Sequence, residues 1–225
     1  MSMKQEERQA RSREEIYRAA LEEFGAGRYE GANMEQICGR HGISKGMMYH
    51  YFANKDELFL FCVGRVFGEL ETYVQREAEA LADENAVDAI RSYFMLRVTF
   101  FQSRPSERVV FENAVLYPPP RLEQEIARLH APLLERNNRF LAAQLSRIPL
   151  RPGLDAKQAE RYLVCVSAGF RSFLLRSLQQ GEDQTFCSLL QEAGKMLDMI
   201  LFGVFRQPEA PSSGEKAEKC EETLC

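Results

Sequence analysis

Asn33-Met34-Glu35-Gln36-Ile37-Cys38-Gly39-Arg40-His41-Gly42-Ile43-Ser44-Lys45-Gly46-Met47-Met48-Tyr49-His50-Tyr51-Phe52 reads as a pair of short helices joined by a glycine turn. Asn33 can cap the first helix, and Ile37 supplies its apolar face. Gly42 fits the turn, where positive φ is needed and a Cβ would be strained. Ile43 then packs inward. Ser44 caps the second helix and leaves its free backbone N–H groups facing outward. Met48 and Phe52, at i,i+4 spacing, give that helix an inner face, with Met47 and Tyr51 opposite. A short helix bearing Lys45, Tyr49, His50 and Tyr51 can enter a major groove and touch phosphates and base edges.

Working outward, the pattern extends through Phe24, Tyr29, Ile37, Gly42, Ile43-Ser44-Lys45-Gly46, Tyr49-His50-Tyr51-Phe52 and Lys55-Asp56-Glu57-Leu58-Phe59. Over roughly residues 10–70 the chain resembles the TetR family of transcriptional regulators. The resemblance, with the helix reading, assigns DNA contact to Asn33, Ser44, Lys45, Gly46, Met47, Tyr49, His50, Tyr51 and Lys55. Tyr51 and Lys55 are expected on phosphates. The chain also departs from the family. Arg28 stands where glycine commonly precedes the aromatic at Tyr29, so Gly25 or Gly27 is expected to form the C-cap of the preceding helix. Cys38 replaces a common Ala. Met47 and Met48 replace Thr and Leu. Met48 conserves the volume of Leu. Met47 cannot donate a hydrogen bond but can pack on a thymine methyl.

Composition sets the outer bounds. The chain has 225 residues, 45% hydrophobic and 28% charged, as expected of a globular protein with one or two domains. No apolar run approaches the roughly 18 residues of a membrane span. The polar start, Met1 to Glu7, carries no signal-peptide pattern, so a cytoplasmic location is expected. Net charge is −4, and the first 60 residues hold nine Lys or Arg against ten Asp or Glu. DNA affinity must then rest on a few placed contacts rather than on a broad basic field. The six cysteines form no CxxC pair; Cys38, Cys62, Cys165 and Cys187 fall in helical patterns and read as buried thiols. Cys220 and Cys225 lie in a polar tail. The histidines lack ligand spacing, and neither a metal nor a cofactor is expected.

The remaining pattern is helical, which makes the fold class all-α. Ser12-Arg13-Glu14-Glu15 reads as a capping box opening the first helix, followed by the stripe Ile16, Ala20 and Phe24. Asn54-Lys55-Asp56-Glu57 is a second box, opening a long helix to about Ala82. A helix from Ala86 should stop before Pro105, Ser106 should cap the next, and Pro118 to Pro120 should end it. Pro132 should kink or split the stretch that follows. Pro149, Pro152 and Gly153 mark a loop, after which Asp155 caps a helix to about Gln180. A last helix should span about Asp183 to Phe205. The organisation is a three-helix head over 10–70, a helical effector-binding and dimerisation body over 71–206, and a polar, disordered tail over 207–225.

Two features of the body suggest sites. Its aromatic residues pack a core in the plainest reading, but Phe94, Phe111, Tyr117, His130, Phe170 and Arg171 could line a pocket for a small lipophilic or aromatic effector. The last helices carry a wide apolar arc that includes Val166, Phe170, Phe173, Leu189, Ala193, Met196, Leu197 and Ile200. The resemblance implies that this arc forms a four-helix homodimer contact, and symmetry then matches a palindromic operator in double-stranded DNA. The functional expectation is a ligand-released repressor, with an activator left open. An enzyme is the first rival, but no nucleophile elbow, phosphate loop, HExxH or paired-carboxylate spacing supports it. A helical adaptor that retains an unused helix-turn-helix is the second.

Overall fold

The computed structural model describes residues 3–162 together with 165, 195 and 199. These residues form an all-helical fold. Helix α1 (Met3–Gly25) starts nine residues before Ser12, so the expected capping box is interior. The reason lies in residues 3–11, whose Lys, Gln, Glu, Arg and Ala favour helix and include no breaker. Ile16, Ala20 and Phe24 are fully buried, as their spacing predicts. Neither Gly25 nor Gly27 has positive φ, so no left-handed cap ends α1. Gly25 answers a different constraint: a Cβ there would lie 2.5 Å from the Ser106 Cβ and 2.6 Å from its Cα. Glycine lets α1 touch the start of a body helix.

Helices α2 (Met34–His41) and α3 (Lys45–Tyr51) follow a 3-10 turn at Tyr29–Gly31. Then comes α4 (Lys55–Glu79), whose buried stripe includes Leu58, Phe59, Cys62, Val66, Phe67, Leu70 and Val74. Its capping box is present in modified form. Asn54 Oδ1 accepts from the Glu57 N–H at 2.9 Å, while Glu57 Oε2 accepts from the Ala53 N–H at 2.8 Å. The stripe on α4 packs first on the head and then on the body. One continuous core therefore runs from Ile16 to Leu133 across the join.

The body contains α5 (Ala86–Gln102), α6 (Pro105–Val115) and α7 (Glu123–Leu145). Pro105, not Ser106, opens α6, because proline at the first position presets φ and has no N–H to satisfy. Helix α7 runs through Pro132 without splitting. Pro132 is exposed, so the backbone group it leaves unpaired can face water, and buried Leu133 anchors the same turn. The loop at Pro149–Gly153 is present, with Gly153 at φ +84°. Asp155 Oδ1 accepts from the Gln158 N–H at 2.7 Å and opens a further helix, as expected.

Cys38 and Cys62 are buried, but Cys165 is exposed, against expectation. No helix among the described residues is long and apolar enough to cross a membrane. The expected dimer residues Val166, Phe170, Phe173, Leu189, Ala193, Met196, Leu197 and Ile200, the pocket residue Arg171, Cys187 and the tail lie outside the described residues.

Candidate nucleic-acid interface

The core of the head fixes the pose of α3. Phe24 stacks on Tyr29 with ring centroids 6.1 Å apart, and Phe59 meets both rings at 5.0 and 4.8 Å. Ile37, Ile43, Met48 and Phe52 close the same core. Asn33 Oδ1 accepts from the Glu35 N–H at 2.8 Å and starts α2. Gly42, at φ +67° and with open space around it, turns the chain. Ser44 Oγ accepts from the Met47 N–H at 3.1 Å and starts α3. Sequence reading located each of these devices, because each is local.

The outer face of α3 is narrower than its helical spacing suggests. Lys45, Gly46, Tyr49 and His50 are exposed, and Tyr49 retains 49% of its surface. Met47 and Tyr51 are half-buried and pack their inner sides on the head core. They flank the face rather than crown it. The His50 ring leans edge-on against Tyr51, with centroids 4.9 Å apart.

Positive charge beside this face is paired in the free protein. Lys45 Nζ lies 2.7 Å from Glu35 Oε1, both side chains being 63% exposed. Arg40 holds Glu23 at 2.8 Å. The Lys45–Glu35 pair lowers the Glu35 pKa through its hydrogen bond. Solvent screens such an exposed pair, so a phosphate can replace the carboxylate at little cost.

Lys55 departs most from the sequence reading. Its ammonium turns back and donates to the carbonyls of Tyr29 (3.1 Å), Glu30 (3.3 Å) and Ala32 (3.1 Å). It also lies 4.3 Å from the Tyr29 ring centroid. Its three donors close the 3-10 turn in this conformation, a role that the sequence reading did not include. The lysine was legible as part of the pattern, but this role depends on a turn 25 residues earlier.

A junction that the sequence did not reveal joins the head to the body. Arg121, in the 3-10 turn before α7, grips Asp56 at the start of α4, with Nε–Oδ2 at 2.6 Å and Nη2–Oδ1 at 2.7 Å. The Tyr29 hydroxyl donates to Asp56 Oδ1 and accepts from Arg121 Nη2 at 2.7 Å. Arg121 holds the Asp56 carboxyl down at about 2, whereas burial and the carboxylate push Tyr29 up to about 12. Nearby, Asn113 Nδ2 donates to the Gly27 carbonyl at 2.8 Å, and the Arg28 guanidinium lies over the Tyr117 ring at 3.4 Å.

The described residues expected to line one pocket are dispersed. His130 stacks on Phe67 at 4.8 Å and meets Phe111 edge-on at 6.4 Å. Phe94 belongs to a separate cluster around Ile90, Leu145 and Ala159. Tyr117 sits at the head–body junction.

Helices α2 and α3, joined by the Gly42 turn, form a helix-turn-helix unit within an all-helical fold. Residues 16–61 match the model for bacterial regulatory proteins of the tetR family. Solved structures similar to the whole fold include FadR of Bacillus subtilis in complex with stearoyl-CoA. That match has 16% identity, covers 84% of this chain and 98% of that one, and has a TM-score of 0.61. The fatty acid degradation regulator FadR of Bacillus halodurans has 13% identity, coverage of 82% and 93%, and a TM-score of 0.62. MexZ, a repressor of Pseudomonas aeruginosa, has 23% identity, coverage of 88% and 96%, and a TM-score of 0.60. No curated protein matches the chain in sequence. The head is thus similar in sequence to bacterial regulatory proteins of the tetR family, and the chain shares the overall fold of these solved structures.

Proposed function

We propose that the protein is a repressor that binds a palindromic operator as a homodimer and leaves it when a small lipophilic or aromatic molecule occupies its body. The grip of Arg121 on Asp56 carries this reading. It ties the start of α7 to the start of α4, four residues beyond α3. A shift of α7 on ligand binding would therefore reorient the reading head. The similarity to a FadR bound to stearoyl-CoA and to the repressor MexZ supports the same direction.

In this reading Lys45, Tyr49 and His50 enter the groove. Met47 and Tyr51 contact its walls, and Asn33, Ser44 and Gly46 allow close backbone approach. The head spans 10–70, the body 71–206 and the tail 207–225. The dimer is formed by the apolar arc from Val166 to Ile200.

The decisive experiment is selection of bound DNA from a random pool, followed by titration of ligands against the selected site. A palindromic selected sequence, released by a ligand that raises thermal stability, is the expected result. Failure to recover any preferred sequence bound in a salt-dependent way would favour an adaptor role instead.

A further inference from the structure

Arg40 and Lys45 supply the arginine and the lysine of the helix-turn-helix stretch 33–52, and a carboxylate holds each of them. The two pairs are unlike. Glu23 keeps 9% of its side-chain surface and accepts from Arg40 Nη1 on both oxygens, at 2.9 and 2.8 Å. Glu35 and Lys45 are each 63% exposed, with Nζ and Oε1 2.7 Å apart. Glu35 stands in the first turn of α2, and Lys45 opens α3. Their pair bridges the starts of the two helices. Lys45 and Tyr49, at i,i+4, share the exposed face of α3.

This difference decides which cation can serve DNA. Drawing Arg40 away would strand a buried carboxylate, so Arg40 stays with Glu23. An exposed pair is held weakly, so a phosphate can take Lys45 from Glu35. The exchange still has a cost. It leaves the Glu35 carboxylate beside the phosphate that Lys45 has drawn in, a like charge well within the screening length. Lys45 and Glu35 together carry no net charge, so the lysine brings one favourable contact and one unfavourable one. A carboxylate in a first turn also favours the start of its helix. That role asks nothing of Lys45, which gives the two roles different signatures.

We infer that Glu35 guards the reading head against DNA of arbitrary sequence: it holds Lys45 as a stand-in for phosphate, and a DNA backbone must displace it to bind. This rests on the DNA-binding reading of α3 and not on ligand release. Binding to arbitrary sequence draws on phosphate contacts almost alone, so a carboxylate that competes for one of them acts on it directly. A duplex that offers only its backbone must expel Glu35 and then lie beside it. An operator meets the same cost and adds base-edge contacts from Tyr49 and His50. In a head with no surplus of basic residues, one such carboxylate is a large share of the field that DNA meets.

The test uses the full chain and a random-sequence duplex of about 20 base pairs, and reads affinity by fluorescence anisotropy between about 50 and 200 mM salt. Melting temperatures read in parallel confine the comparison to folded protein. Glu35→Gln should bind this duplex about three- to tenfold more tightly than the wild type at the low-salt end. The slope of log K against log salt should steepen by up to about one unit per reading head. Lys45→Gln should bind more weakly than the wild type. Adding Glu35→Gln to it should recover no more than about twofold, because the cation to be released is gone. Unchanged affinity in Glu35→Gln overturns the assignment. An equal gain with and without Lys45 overturns it too, since Glu35 would then act as diffuse surface charge. If neither wild type nor Glu35→Gln binds any duplex, the DNA-binding reading falls with it. A wild type that selects one sequence but shows no response to Glu35→Gln overturns this inference alone.

Discussion

Arg121 and Asp56, 65 residues apart in sequence, form a two-pronged ion pair that joins the turn before α7 to the first turn of α4. Tyr29 completes it by bonding to both partners. The pair adds a charged contact at the first turn of α4 to the apolar packing of body helices along the same helix.

Acid should dissolve this tie before it unfolds the rest. The folded Asp56 pKa, about 2, lies below the ordinary carboxylate value. A depressed folded pKa contributes stability that is complete above the unfolded value, about 4, and is lost as pH falls through about 2. The melting temperature of Arg121→Ala should therefore trail the wild type by a constant amount from pH 7 to about 4. The gap should close toward pH 2. A gap that does not change with pH would mean that the Asp56 charge contributes nothing.

Lys55→Ala should destabilise the head rather than alter its electrostatics toward DNA. Three hydrogen bonds from one ammonium to the 29–32 turn are lost, at a cost of about 1–3 kcal/mol. The slope of log K against log salt should stay at its wild-type value. A slope flatter by about one unit, with unchanged melting temperature, would return Lys55 to the phosphate contacts.

Tyr49→Ala should do the reverse. The ring is half-exposed, so thermal stability should change by less than about 0.5 kcal/mol. Operator affinity should fall, together with discrimination at one base pair per half-site. Equal binding by wild type and mutant across a selected pool would show that Tyr49 does not reach the bases.

Two glycines should respond to alanine for different reasons. Gly42→Ala meets no neighbour and suffers only from φ +67°, which costs about 1–2 kcal/mol. Gly25→Ala instead drives a Cβ into Ser106, side chain and backbone alike, and overpacking should cost about 1–3 kcal/mol or more. Because the Ser106 Cα is itself 2.6 Å away, Ser106→Gly should not rescue Gly25→Ala. Denaturant unfolding of the single and double mutants checks this, and full rescue would show that only the serine side chain is in the way.

The devices that build the head are local in the chain. Asn33, Gly42, Ser44 and Asn54 act through hydrogen bonds or φ values spanning at most a few residues, and the buried stripe from Ile16 to Phe24 follows helical period. Met48 and Phe52 turn inward for the same reason. Such local devices are legible without a fold. Other features required the tertiary structure. Helix α1 begins at Met3 because nothing stops it, a signal that the capping box at Ser12 masks. Gly25 is needed because α6 arrives there from 80 residues away. Lys55 and Arg121 carry no sequence mark of their destinations, since a flexible cationic side chain takes whichever acceptors the packed chain brings within reach. Helical period can say which side of a helix is inside, but only the folded chain decides what each charged group finds there.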